Sequence, residues 1–261
     1  MNPLILSALL AVCLFFALIL AQWLGRVIGK RRLTSHGDAA QDGAGVVEGA
    51  AFALLGLLLA FTFSGADTRF QHRRDLVIEQ VNALGTAWMR LDLLPAADQP
   101  EIRTLFRRYV DALRQVAANA SAGDLGAATA TTTDLQSLQN QLWRLCVAAA
   151  NRDARPQVAT LLLPPLNDTF DLSTTRLAAP RIHVQPPVIV FLLGVSLLAG
   201  LLAGHGQAST KRPDLLHMLT FAALISATLY FIMDLEYPRL GFINLDLADV
   251  FMTEFRASLD Q

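Results

Sequence analysis

Four apolar runs long enough to cross a bilayer restrict this chain more than any other feature. A spanning helix needs roughly 20 mostly apolar residues, because the hydrocarbon core is about 30 Å thick and a helix rises about 1.5 Å per residue. The runs extend from Pro3 to about Gly25, from Val46 to Ala66, from Val188 to about Gly204 and from Leu215 to Met233. Composition agrees: 53% of the 261 residues are hydrophobic and only 16% are charged, against about 25% charged in an ordinary soluble domain. The charge deficit is concentrated in the four runs, so it reports membrane spans rather than an unusually apolar soluble core.

The charges between the runs suggest an orientation. The N-terminus, MNPLILS, has no basic side chain, and Arg26, Lys30, Arg31 and Arg32 come only after the first run. A cleaved signal peptide has the opposite order, so the first run is expected to be a retained span with its N-terminus outside. The short loops after the first and third runs hold the chain's two lysines, Lys30 and Lys211, with Arg31, Arg32 and Arg212. By the positive-inside rule these loops are cytoplasmic, which places both termini and the long middle segment outside. Arg69, Arg73 and Arg74, just after the second run, weigh the other way.

The expected fold is an all-α membrane protein with four transmembrane helices arranged as two hairpins. Residues 1–66 form the first hairpin and 187–234 the second. Between them, 67–186 is a helical extramembrane insert, nearly neutral with thirteen arginines, twelve acids and no lysine. No run in it shows the period-two alternation of a strand. The second span continues without proline into DTRFQHRRDLVIEQVNALGTAWMRLDLL, one unbroken helix that Pro95 ends. The next helix starts with Asp98 as N-cap and Pro100 in its first turn, and buries Ile102, Leu105, Phe106, Tyr109, Val110, Leu113 and Val116. Residues 117–130, rich in Ala and Gly, read as a loop or weak helix. Leu135, Leu138, Leu142, Leu145 and Ala149 form another apolar face; LLLPP at 161–165 breaks the chain, and Asn167 to Leu177 is a short helix. In 235–261 an amphipathic C-terminal helix presents Leu247, Phe251, Phe255 and Leu259, either to the membrane surface or to the helical bundle.

Enzymatic signatures are missing. There is no G-x-S-x-G, H-E-x-x-H, P-loop or dinucleotide fingerprint, and no enzyme activity, cofactor or metal site is expected. The net charge of -1 argues against nucleic acid as a partner. Cys13 and Cys146 lie in unlike surroundings and are not expected to pair. Five histidines are scattered, with His205 and His217 flanking one cytoplasmic loop.

Charges and small residues at the spans are the candidate functional features. Glu48 lies about three residues into the second span, roughly 4–5 Å deep. It either pairs with Lys30, Arg31 or His217 at the same face, or stands at the inner mouth of a polar pathway. At the other boundary Asp67, Arg69, Arg73, Asp234, Glu236 and Arg239 form either an ion-pair belt joining the hairpins or a charged vestibule that selects ions. Ser196, Gly200 and Gly204 repeat at four-residue spacing in the third span. Gly45, Gly49, Ala53, Gly56, Ala60 and Ser64 form a stripe in the second. Small residues let helix backbones approach, so each stripe is either packing within one chain or a subunit interface or pore wall.

Three stretches carry a family resemblance: FTFSGADTRFQHRRDLVIEQVNALGTAW, LLLPPLNDTFDLSTTR and LYFIMDLEYPRLGFINLDLADVF. In this order they resemble a bestrophin-like domain-of-unknown-function family of bacterial integral membrane proteins, over nearly the whole chain from the second span onward. The resemblance implies a multi-pass protein of the bacterial inner membrane and, through the bestrophin label, an oligomeric anion channel; it assigns no site residues. The leading expectation is therefore a homo-oligomeric ion channel or transport-related protein, in contact with lipid and ions, with the second span lining a central path. The alternative is a non-conducting membrane scaffold or sensor whose helical insert binds a partner.

Overall fold

The computed structural model describes residues 3–36, 44–121, 125–153, 155–210, 212–237, 242–243 and 245–261. Among these the chain is all-α, with no strand. Eight helices follow in order: α1 Pro3–His36, α2 Ala44–Arg90, α3 Gln99–Ser121, α4 Leu125–Arg152, α5 Gln157–Ala178, α6 Pro186–Gly206, α7 Leu215–Glu236 and α8 Asp246–Ser258. Four of them, α1, α2, α6 and α7, are long and apolar enough to cross a membrane. The chain divides into two compact units. One comprises 1–70 and 183–242; the other comprises 71–182 and 243–261.

In the first unit α1 packs against α6 and α7. The α1–α6 contact is a meeting of backbones. A Cβ on Gly204 would lie 1.8 Å from the Gln22 carbonyl oxygen, and one on Gly25 would lie 1.9 Å from that of Leu201. No side chain fits at either point, so glycine is required on both helices. Gly200 also sits against Leu18 and Ala21, and Ser196 is fully buried with its hydroxyl donating to Leu192 O at 2.7 Å. Gln22, fully buried, donates from Nε2 to Met218 O at 3.1 Å and so ties α1 to α7. Leu18, Leu192, Ala199, Ala222, Leu229 and Ile232 fill the space between.

The second unit holds the last turns of α2 with α3, α4, α5 and α8 around one apolar core of Leu84, Leu91, Phe106, Tyr109, Leu142, Leu162 and Leu166. All seven apolar positions expected of α3 are buried, as are Leu135, Leu138, Leu142 and Ala149 of α4. Each fully buried Leu or Phe contributes about 1.5–3 kcal/mol relative to exposure, which is why the 3.6-residue period survives folding. α2 runs unbroken to Arg90 and through a short 3-10 turn, Leu91–Leu93. Leu94 is then extended, at φ −74° and ψ 156°, because the ring of Pro95 excludes the helical region for the residue before it. Cys146 is buried in the core, and burial pushes its thiol up to about 12; both cysteines are free.

The sequence reading needs two corrections. Pro164 and Pro165 do not break the chain but lie inside α5, a single helix from Gln157 to Ala178 that absorbs the short helix expected from Asn167. Pro165 cannot donate to the carbonyl of Leu161, the loss that usually makes mid-helix proline costly. Arg90 supplies the missing donor, with Nη1 at 2.5 Å from Leu161 O. Of the loop or weak helix expected over 117–130, the described residues are helical, through Ser121 and again from Leu125. Finally, α8 turns a different face inward. Ala248, Met252 and Leu259 are buried, whereas Phe251 is half exposed. Met252, Phe255 and Leu259 join the core, so this helix covers the bundle. Arg256 donates to Asp111 Oδ1 at 2.8 Å and Arg107 to Leu259 O at 2.7 Å.

Candidate functional site

Within the first unit α2 stands apart from its neighbours. Only Leu55, Leu59 and Ala66 are buried between Gly45 and Phe70, and one ring contact, Phe52 to Phe221 at 6.0 Å, reaches α7. At about 100° per residue the segment has three faces. Glu48, Leu55, Leu59 and Ala66 form the face turned to the unit. Val47, Leu54, Leu57 and Phe61 form an exposed bulky apolar face. Gly45, Gly49, Ala53, Gly56, Ala60 and Ser64 form the third, roughly 110° from the buried one, and all six are exposed. A Cβ added to Gly45, Gly49 or Gly56 would meet nothing within 4 Å. The small residues of the second span are therefore not packed inside the chain, in contrast to Gly200 and Gly204.

Two polar contacts tether this helix. At its start Glu48 Oε1 lies 3.7 Å from His205 Nδ1, near the end of α6, with both side chains 18% exposed. The expected cationic partners, Lys30, Arg31 and His217, are replaced by His205. The carboxylate also lies against Gly206, where an added Cβ would be 2.9 Å from Glu48 Oε2. At the other end Arg69 donates to Glu236 Oε1 from Nε at 2.8 Å and from Nη2 at 2.5 Å. Glu236 is 2% exposed, and its Oε2 lies 3.4 Å from His183 Nδ1. The His183 ring in turn stacks on Tyr237 at 4.6 Å. Glu48 and Arg69 are 21 residues apart, roughly 32 Å along a helix, close to the thickness of the hydrocarbon core.

The other expected site residues have different surroundings. Asp234 is buried and its Oδ1 accepts from the backbone N–H of Phe242 at 3.1 Å. Asp67 is half-buried and forms no ion pair among the described residues. Arg73 lies in the second unit, where it donates from Nη2 to Ile182 O at 2.8 Å and holds the end of the turn after α5. Arg239 lies outside the described residues. No group of three or more His, Cys, Asp or Glu side chains suited to a metal ion occurs among the described residues.

Sequence reasoning missed Gly25, Gly29, His183 and His205 as structural partners. A Cβ on Gly29 would lie 2.6 Å from Ala208 Cβ, so Gly25 and Gly29 form a close-approach pair four residues apart, the same spacing that marked Gly200 and Gly204. That signal was present in GRVIG. The two histidines had none, because each meets its glutamate from a distant part of the chain.

Comparison with known proteins places this geometry. A family model described as a Bestrophin-like domain matches residues 5–248. Among solved structures, the chain is similar to a crystal structure of a mutant bacterial bestrophin homologue from Klebsiella pneumoniae, with a TM-score of 0.60 at 15% sequence identity. The match covers 95% of this chain and 99% of that one. No curated protein matches significantly. At this identity the structural likeness speaks for the fold, whereas the family model spans nearly the whole sequence, so the chain belongs to the bestrophin-like family.

Proposed function

We propose that the protein is an oligomeric ion channel or transport-related protein of the bacterial inner membrane, with α2 lining a central path. The observation that carries this reading is the division of α2 into faces. Its bulky apolar face suits acyl chains. Its small-residue face is exposed from Gly45 to Ser64, and among the described residues nothing lies within 4 Å of a Cβ added to Gly45, Gly49 or Gly56; small residues suit the close approach of another copy or an open lumen. Bestrophin-like membership adds the association with oligomeric channels that the sequence resemblance implies. The charged groups at both ends of α2 would then lie near the mouths of the path. Reconstituted, oligomeric protein in a planar bilayer is expected to carry current; silence from folded oligomers overturns the reading.

The proposed topology has both termini and the insert outside the cytoplasm, as the lysine-bearing loops suggest. A reporter fused after Gln261 reads as extracytoplasmic if this is right and as cytoplasmic if it is inverted. A cleft of about 400 Å³ in the second unit, lined by Asp111, Arg114, Arg176 and Asp249 among others, favours a second reading. In that reading the protein is a non-conducting scaffold or sensor, and a stoichiometric partner recovered without any ion flux in liposomes distinguishes it.

A further inference from the structure

We propose that Arg26 and Gln207 form a receptor for a phosphate-type oxyanion at the membrane boundary of the first unit, where the end of α1 meets the turn after α6. Arg26 is only 6% exposed. Its Nη2 donates to Thr210 O at 2.8 Å, but its Nη1 is buried and makes no hydrogen bond. It forms no ion pair among the described residues. An arginine side chain carries its charge wherever it is placed, and a buried charge without a counter-charge is strongly unfavourable.

Other shielded arginines are satisfied inside the chain. Arg69 meets Glu236, Arg176 meets Asp249 at 2.8 Å and Arg256 meets Asp111 at 2.8 Å. Arg73, equally buried, donates to Ala179 O and Ile182 O and has no buried nitrogen left over. Beside Arg26 a second donor is also left over. Gln207 opens the 3-10 turn Gln207–Ser209. Its Oε1 accepts from the backbone N–H of Asp214 at 3.3 Å, and its Nε2 is buried without a partner. Thr210 joins the two residues: its carbonyl accepts from Arg26, and its N–H donates to Gln207 O at 3.2 Å. Two unsatisfied nitrogen donors and one full positive charge around a single turn match an oxyanion that accepts from both.

The acids at this end are engaged elsewhere. Asp214 accepts from the backbone N–H of His217 at 3.1 Å and so caps α7, and Glu48 lies 3.7 Å from His205. Arg26 is the first charged residue after the apolar run of α1, which puts it where the hydrocarbon core gives way to the headgroup layer. Lys30, one turn further along α1, and Arg212, after the turn, are exposed and add positive potential. Basic groups between spanning helices at this depth suit the phosphodiester of an anionic lipid, and the same donors suit inorganic phosphate. The receptor lies apart from the small-residue face of α2 and does not rest on the conducting path.

The test uses the full chain in a nonionic detergent, washed until no phospholipid phosphorus remains. Its apparent melting temperature is followed as short-chain phosphatidylglycerol, inorganic phosphate, or chloride at equal ionic strength is added. Phosphatidylglycerol or phosphate is expected to raise it by about 3 °C or more at saturation, and chloride to have a smaller effect. The rise is expected to vanish in Arg26→Gln and to shrink in Gln207→Leu. A rise with phosphatidylglycerol alone identifies a lipid headgroup as the source of the anion; a rise with inorganic phosphate, alone or as well, identifies the phosphate group itself. Should Arg26→Gln fail to fold, the response of Gln207→Leu decides. No rise with either probe, an equal rise with chloride, or an undiminished rise in either variant overturns the inference.

Discussion

Two glycine stripes in one set of spanning helices have opposite fates. On α6, Gly200 and Gly204 press into α1, and Gly204 leaves no room for even a methyl group beside the Gln22 carbonyl. On α2, Gly45, Gly49 and Gly56 face open space. The spacing of the residues is alike, so the pattern marks a surface fit for close approach without naming its partner. For α6 the partner is α1 of the same chain, where Leu18, Ala21 and the Gln22 backbone lie against Gly200 and Gly204. For α2 none of the described residues fills that role. The bulky face formed by Leu54, Leu57 and Phe61 beside it shows that the helix has a separate surface suited to lipid.

The largest effect that separates the two stripes is expected at the α1–α6 contact. Gly204→Ala or Gly25→Ala drives a methyl group into backbone, and the helices must part along their length. A loss of more than about 4 kcal/mol is expected, enough to remove folded protein. Size-exclusion chromatography in detergent checks this, and a normal monodisperse peak would break the comparison. Next comes the ion pair that anchors α2. Removing Arg69 strands the buried Glu236 carboxylate at a cost of about 3–5 kcal/mol, and removing Glu236 costs less because Arg69 is partly exposed. The exchanged pair Arg69→Glu with Glu236→Arg should recover assembly that each single change loses. Failure to recover would mean that geometry at this site, including His183, matters more than charge.

A smaller structural effect, with a larger functional one, is expected on the open stripe. Gly49→Ala and Gly56→Ala should leave the folded yield unchanged while altering oligomer stability or ion flux. If neither property moves, the stripe faces lipid. The smallest effect is a control on α6 itself. Gly194 has open space around it, so Gly194→Ala should be neutral or stabilise the helix by about 1 kcal/mol, in contrast to Gly204 ten residues later.

Legibility in the sequence followed the range of the interaction. The spans and the buried face of α3 were readable because both depend on residues three or four apart. The long helix through Arg90 was readable because no proline interrupts it before Pro95. The Pro164–Pro165 pair misled because its rescue comes from Arg90, far away in the chain, and local rules cannot register a distant donor. The inward face of α8 was ambiguous for a related reason. Ala248, Met252, Phe255 and Leu259 keep helical spacing as well as Leu247, Phe251, Phe255 and Leu259 do, and only the bundle decides between them. At the candidate site, Glu48, Arg69 and Glu236 were identifiable as charges at span boundaries. Their histidine partners were not, since the pairing depends on which helix ends lie at the same depth.

The central claim is that the small-residue face of α2 meets other copies around an axis rather than lipid. Electron cryo-microscopy of the protein in lipid nanodiscs tests it most directly. The account predicts a ring of subunits with Gly49, Gly56 and Ser64 turned toward the axis or the adjacent copy, and Leu54, Leu57 and Phe61 turned toward lipid or packing. A monomer, or an oligomer in which Gly49 and Gly56 face the bilayer, would contradict it.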